Sequence, residues 1–224
     1  MIGHDHRRRA PGKTRLQALW WDLAERTAEL IVRALWVLRV EGAERVPRTG
    51  PVIFISNHES YLDPVVNGVA TRDRQVGFLA KVELFGFSPF GRLIQSFGAI
   101  PLKERSDMAA MRAAIAELQT GRCIVVYPEG GRSSDGEVGP FQRGVALIVR
   151  RTKVPVVPMA VQGPHHVWPP SRKLPRPFGR LAVMVGDPID AATLLSDPDD
   201  GVERMRSAVV ALQARLRARE ARRG

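Results

Sequence analysis

Four short apolar runs constrain this chain more than any other feature: PVIFIS (51–56), CIVVYP (123–128), VPVVPMAV (154–161) and RLAVMV (180–185). Each is rich in β-branched residues and lacks the apolar-polar alternation of a strand with one wet face, so each reads as a strand buried on both sides. Such strands need helices over both faces, and the sequence between them supplies helices. Asp63 followed by Pro64 resembles a cap and first helical position, which predicts a short helix over 64–70. VGFLAK (76–81) and FGAIPL (97–102) read as further strands, joined by a helical or irregular connection over 83–96. Ser106 caps an amphipathic helix over 107–120 that Gly121 closes, and VALIVRRT (145–152) is another helix. The predicted fold is a single α/β domain with a mixed, mostly parallel sheet flanked by helices. The 224 residues, 44% of them hydrophobic, suffice for its core.

The ends differ from this middle. The net charge is +11, and most of it is terminal. Residues 1–15 set five cations against Asp5, and residues 201–224 set seven arginines against Glu203 and Glu220. The chain therefore divides into a basic disordered tail (1–15), an amphipathic helix (16–40), the α/β domain (41–200) and a basic C-terminal helix (201–224). Ends of this kind attract polyanions, either nucleic acid or an anionic lipid surface. With 6% aromatic residues and no nucleic-acid reading motif, the chain is not expected to bind nucleic acid. In the first helix Leu16, Trp20, Leu23, Thr27, Ile31, Ala34 and Leu38 form one apolar stripe, with Arg15, Asp22, Glu25, Arg26, Glu29 and Arg33 opposite. Trp21 and Trp36 fall toward the rim and polar side, which suits a lipid headgroup layer. The same pattern also suits a helix packed on its own core.

No secretory signal and no membrane span is expected, since no uncharged apolar stretch approaches the roughly eighteen residues that crossing requires. The lone Cys123 can form no intramolecular disulfide and points to a reducing compartment.

In sheets of this kind the working loops lie beyond the carboxyl ends of the strands. NHESYLD (57–63), KERSD (103–107) and PEGGRS (128–133) all occupy such ends. His58 and Asp63 are spaced so that a turn can bring imidazole and carboxylate together. The acid would then fix the tautomer of a general base. An isolated His and Asp at this spacing is more often a loop residue and a helix cap. No G-x-S-x-G elbow is present, Cys123 opens an apolar strand, and no metal-ligand spacing or phosphate-loop signature occurs. The attacking hydroxyl should therefore belong to a substrate, which suits an electrophile as reactive as a thioester. Such a base works only unprotonated, so activity should fall as the imidazole takes up a proton. In the second loop Gly130 and Gly131 allow close backbone approach, Arg132 offers a fork for phosphate, and Glu129 can accept from a hydroxyl or hold Arg132. Lys103 and Arg105 add positive charge.

Taken in order, NHESYLD, GAIPLKER, YPEGGRS and VPVVPMAV resemble the four blocks of the glycerolipid (lysophospholipid) acyltransferases typified by 1-acylglycerol-3-phosphate acyltransferase, over about half the chain. The resemblance implies transfer of a fatty acyl group from acyl-CoA or acyl-carrier protein to a lysophospholipid hydroxyl. His58 would be the base and Asp63 its partner, with Asn57, Lys103, Arg105, Glu129, Gly130, Gly131 and Arg132 at the substrate. It implies no cofactor beyond the thioester co-substrate, and a cytoplasmic protein peripheral on the cytoplasmic face of an anionic membrane. Two positions depart from the family pattern: Gly131 stands where threonine is usual, and Glu104 where arginine is expected. They leave open another lysolipid or a lipid-linked acceptor, or a membrane-surface module without catalysis.

Overall fold

The computed structural model describes residues 11–71, 74–86, 88–103 and 108–222. Helix α1 (Arg15–Leu35) opens it, and a capping box starts the helix: the Thr14 hydroxyl accepts from Gln17 N, and the Gln17 side chain accepts from Thr14 N. Strand β1 (Val37–Glu41), a 3-10 turn (Ala43–Arg45), β2 (Ile53–Ser56), α2 (Asp63–Ala70) and β3 (Val76–Lys81) follow. Next come α3 (Glu83–Gly86), α4 (Ser88–Ser96), β4 (Ala99–Leu102), α5 (Met108–Gln119) and β5 (Cys123–Val126). The remainder is α6 (Gly144–Thr152), β6 (Val156–Gln162), α7 (Pro164–Val167), β7 (Arg180–Val185), α8 (Ala191–Leu195) and α9 (Pro198–Ala221).

The seven strands form one sheet in the order β1-β7-β6-β2-β5-β3-β4. Every neighbouring pair is parallel except β6 and β7. The expected α/β domain with a mostly parallel sheet is thus the observed one. Side-chain alternation along the central strand builds both cores. Ile53 and Ile55 point to the layer of α5, α6 and α9, where Ala114, Leu118, Ile148 and Leu216 are buried with them. Val52 and Phe54 point to the other face, against Val66 and Val69 of α2 and Val32 of α1. Each such fully buried side chain contributes about 1.5–3 kcal/mol.

Three expectations about the ends need correction. The first helix stops at Leu35, short of residue 40; Trp36 is extended, and Val37–Glu41 pairs with Arg180–Met184 of β7. Local apolar spacing in LWVL fits a helix face or a strand equally well, and a partner far along the chain decides. Trp21 and Trp36, expected at the rim, are buried, while Leu16, Trp20, Leu23 and Ile31 of the apolar stripe are exposed. The helix therefore turns its apolar side outward and packs on the core through Ala18, Trp21 and Val32. The basic C-terminal helix is a layer of the domain, beginning at Pro198 and burying Met205, Val209, Leu212 and Leu216. Three of its arginines bond to the rest of the domain: Arg206 donates to the carbonyls of Val138 and Gly139, Arg217 pairs with Glu137, and Arg219 pairs with Glu41 of β1. Residues 1–10 of the basic tail lie outside the described residues. Among the described residues, no helix is long and apolar enough to cross a membrane.

The strand directions place the working edge. Strands β2, β5 and β6 run parallel and end together. Because β7 is antiparallel to β6 and β1 is parallel to β7, the starts of β7 and β1 and the end of α1 share that edge.

Candidate active site

Three adjacent strands, β6, β2 and β5, deliver the loops of the site. Beyond β2 the chain folds back on itself, and the Asp63 carboxylate turns toward this loop rather than capping α2. Its Oδ2 accepts from Glu59 N at 2.6 Å and Ser60 N at 2.8 Å, and meets His58 Nδ1 at 2.7 Å. Asp63 is fully buried, and the His58 side chain keeps 20% of its exposure. A carboxylate at Nδ1 requires the proton there, which leaves Nε2 as the acceptor on the open side of the ring. Tyr127, at the end of β5, stacks on the imidazole with ring centres 4.1 Å apart, and its hydroxyl accepts from Asn67 Nδ2. The ring is thus held at one edge by an acid and across one face by an aromatic plane.

Glu129 ties the loops together. Its Oε1 accepts from His58 N at 2.9 Å and its Oε2 from Gly139 N at 3.1 Å; burial raises its pKa and these bonds oppose the rise. Of the two roles open to Glu129 in the sequence, holding Arg132 is not the one seen. Arg132 lies over the Tyr61 ring, its guanidinium carbon 3.7 Å from the ring centre. Tyr61 packs against Trp168 beyond β6, and Ser60 Oγ donates to the Trp168 carbonyl. Arg132 Nη1 is buried with no hydrogen-bond acceptor among the described residues. A buried cationic donor without a partner is costly and suits an anionic ligand. Gly130 turns this loop with a φ of 70°, the left-handed conformation that favours glycine, and Gly131 follows it, half-buried.

Asn57, expected at the substrate, faces the scaffold. Its Oδ1 accepts from Val161 N and its Nδ2 donates to Val161 O, clamping β2 to β6 where the strands end. Lys103 lies beyond β4, an edge strand separated from β2 by β5 and β3, on the order of 14 Å at ordinary strand spacing. It sits exposed at the rim of the same edge, not beside His58. Arg105, Glu104 and the Ser106 cap lie outside the described residues. Cys123 is buried at the opposite end of β5, where burial raises its pKa to about 11. It is therefore neither placed nor ionised for attack near neutral pH.

Sequence reasoning missed Tyr127, Tyr61, Trp168 and Glu59. Alternation along β5 puts Tyr127 on the same face as Cys123 and Val125, the face that α2 covers, which was a usable signal. Glu59 is almost fully buried, its Oε1 accepting from His165 N at 3.0 Å. Burial first, then the Asp63 carboxylate, holds its pKa well above the usual carboxylate range.

An α/β domain that holds a carboxylate-bound histidine at its strand ends, with no hydrogen bond from that ring to a serine or cysteine among the described residues, defines a class rather than a protein. The comparisons narrow it. A family model described as Acyltransferase matches residues 37–162. The chain belongs to the acyltransferase family. It is 28% identical over 181 residues to the chloroplastic 1-acyl-sn-glycerol-3-phosphate acyltransferase of Brassica napus, covering 78% of this chain and 52% of that one. To the 1-acyl-sn-glycerol-3-phosphate acyltransferase of Bacillus subtilis it is 26% identical, covering 82% and 88%. The chain thus spans about half the length of the plant relative and most of the bacterial one. The crystal structure of the 1-acyl-sn-glycerophosphate (LPA) acyltransferase PlsC from Thermotoga maritima matches with a TM-score of 0.81 at 26% identity, covering 93% of this chain and 85% of that one.

Proposed function

We propose that the protein transfers a fatty acyl group from acyl-CoA or acyl-carrier protein to the free hydroxyl of a lysophospholipid, with 1-acylglycerol-3-phosphate as acceptor and phosphatidic acid as product. The observation that carries this reading is the buried Asp63 bond to His58 Nδ1, which leaves Nε2 as the base, hydrogen-bonded to no hydroxyl or thiol of the protein among the described residues. In the step we envisage, Nε2 takes the proton of the acceptor hydroxyl as its oxygen bonds to the thioester carbonyl carbon. The carbon-sulfur bond then breaks, and the imidazolium returns its proton to the leaving thiolate. Asp63 stabilises the imidazolium in between. The unpartnered Arg132 donor, steadied by Tyr61, would take the acceptor phosphate, with Gly130 and Gly131 allowing the backbone close to it. Lys103 would draw anions from the rim, and Arg105, outside the described residues, would add its charge.

The names of the relatives in Brassica napus and Bacillus subtilis support this acceptor. A lysolipid resides at an interface, and the outward apolar stripe of α1 supports a peripheral protein on the cytoplasmic face of the membrane. Gly131 in place of threonine favours a second reading, in which the acceptor is another lysolipid. The test is purified protein with one acyl-CoA and a panel of lysolipids, following free thiol and acylated lipid together. Equal release of both, greatest with the phosphate headgroup and lost in His58→Ala, is the expected result. Transfer at the wild-type rate in His58→Ala would refute the base, and thiol release without acylated lipid would indicate hydrolysis.

A further inference from the structure

The segment from Trp168 to Arg180 is a proline-rich excursion between β6 and β7 that the proposed chemistry does not use. It is held in shape. Trp168 Nε1 donates to Arg172 O, Arg172 N donates to Pro169 O, and Arg176 N donates to Val167 O. On this folded frame Leu174 is 73% exposed and Phe178 is 81% exposed. Arg172, Lys173, Arg176 and Arg180 are exposed around them, none in an ion pair among the described residues. No carboxylate occurs between Gly163 and Gly186. Two large apolar side chains held in solvent amid four cations run against the usual partition of a surface and match the layers of an anionic bilayer, acyl region beneath and phosphate above.

The position of the segment favours lipid over a protein partner. Its far end is stitched to the end of α1, since Trp36 Nε1 donates to Arg176 O at 2.8 Å and Val37 N donates to Gly179 O at 3.0 Å. There the exposed Leu35 and Val37 continue the outward stripe of α1. Its near end is stitched to the site, through Trp168 against Tyr61, which lies under Arg132. One apolar surface bounded by cations thus runs from α1 to the side of the site that holds the anion-binding arginine. We propose that residues 168–180 form a second membrane-docking element, with Leu174 and Phe178 entering an anionic bilayer beside α1 and seating the mouth of the site at the lipid surface. This rests on the reading of α1 as a lipid-facing helix but does not require the acyl-transfer chemistry.

The test uses the full chain and vesicles of equal parts phosphatidylglycerol and phosphatidylcholine. Replacing Leu174→Ser and Phe178→Ser together should weaken vesicle binding by roughly tenfold or more. Acylation of a short-chain, fully dissolved lysophosphatidic acid should stay at the wild-type rate, which also shows that the variant is folded. In a second protein, Phe178→Cys carries a polarity-sensitive fluorophore, the buried Cys123 being shielded from labelling. Its emission should shift to the blue on adding vesicles. An unshifted label overturns the proposal whatever the variant does, and so does a shift with acyl-carrier protein but none with vesicles. Vesicle affinity that is lost in Leu23→Ser with Ile31→Ser but kept in the loop variant would also overturn it, while sparing α1. The opposite pattern would remove α1 as a lipid-facing helix and with it the proposed docking beside α1. Absence of acyl transfer in the wild type would overturn the proposed chemistry and leave the vesicle results readable.

Discussion

Around His58 the protein buries carboxyl groups and holds them with hydrogen bonds to the loops, whereas along α1 and the 168–180 segment it leaves leucine, isoleucine and phenylalanine in solvent. Both regions invert the ordinary partition of polar and apolar side chains, in opposite senses. Buried polar groups are kept where their geometry must be fixed, and apolar groups are exposed where something apolar is to cover them. The two inversions meet at Tyr61 and Trp168, where the polar site and the apolar surface touch.

Substitutions in the two regions should therefore separate chemistry, stability and docking. The largest effect belongs to His58→Ala: on the proposed role as base, acyl transfer should fall by about a thousandfold or more in a variant that still melts cooperatively. Retained activity at constant stability would place the base elsewhere. The buried tryptophan just past α1 comes next. Trp36→Ala should cost about 3–5 kcal/mol in a denaturant titration, whereas Leu23→Ser on the outward stripe should stay within about 0.5 kcal/mol. Equal costs would mean that the stripe is packed after all.

Smaller effects are expected at the junction. Arg132→Ala should raise the KM for lysophosphatidic acid about tenfold to a hundredfold and leave the KM for the acyl donor nearly unchanged. Tyr61→Leu should raise it by about three- to tenfold, with Tyr61→Phe close to wild type, because the ring face rather than the hydroxyl carries Arg132. Equal effects of the leucine and phenylalanine variants would remove the ring from that role. Glu59 gives the smallest change. Its folded pKa is raised, so the stability it allows is complete below the unfolded carboxylate range near 4.5 and declines as pH rises beyond it. Glu59→Gln should therefore match the wild type at about pH 4 and exceed it at about pH 8. A difference independent of pH would contradict the burial argument.

Much of the sheet was legible because its strands are short, apolar and buried on both faces, a pattern that helices of the same length seldom show. Strand β1 was not, since Leu38 continues the helical stripe and only pairing with β7 makes the segment a strand. The periodicity of α1 gave two faces but carried no information about which of them meets the core. At the site, His58 and Asp63 lie in one turn, so their spacing allowed the pair, and the order of the four family blocks favoured it over a loop residue and a helix cap. The seat of Arg132 on Tyr61 and the stacking of Tyr127 join separate loops, which no local pattern encodes. Asn57 stood beside His58 in the sequence, and the pull of β6 turned it into the scaffold.

The central claim is that the attacking oxygen belongs to the lipid and not to the protein. Intact-protein mass spectrometry after rapid mixing with an acyl thioester, with and without lysophosphatidic acid, tests it most directly. The account predicts no acyl adduct on the chain under either condition and free thiol only when the acceptor is present. A transient adduct that forms without acceptor and disappears when acceptor is added would contradict it.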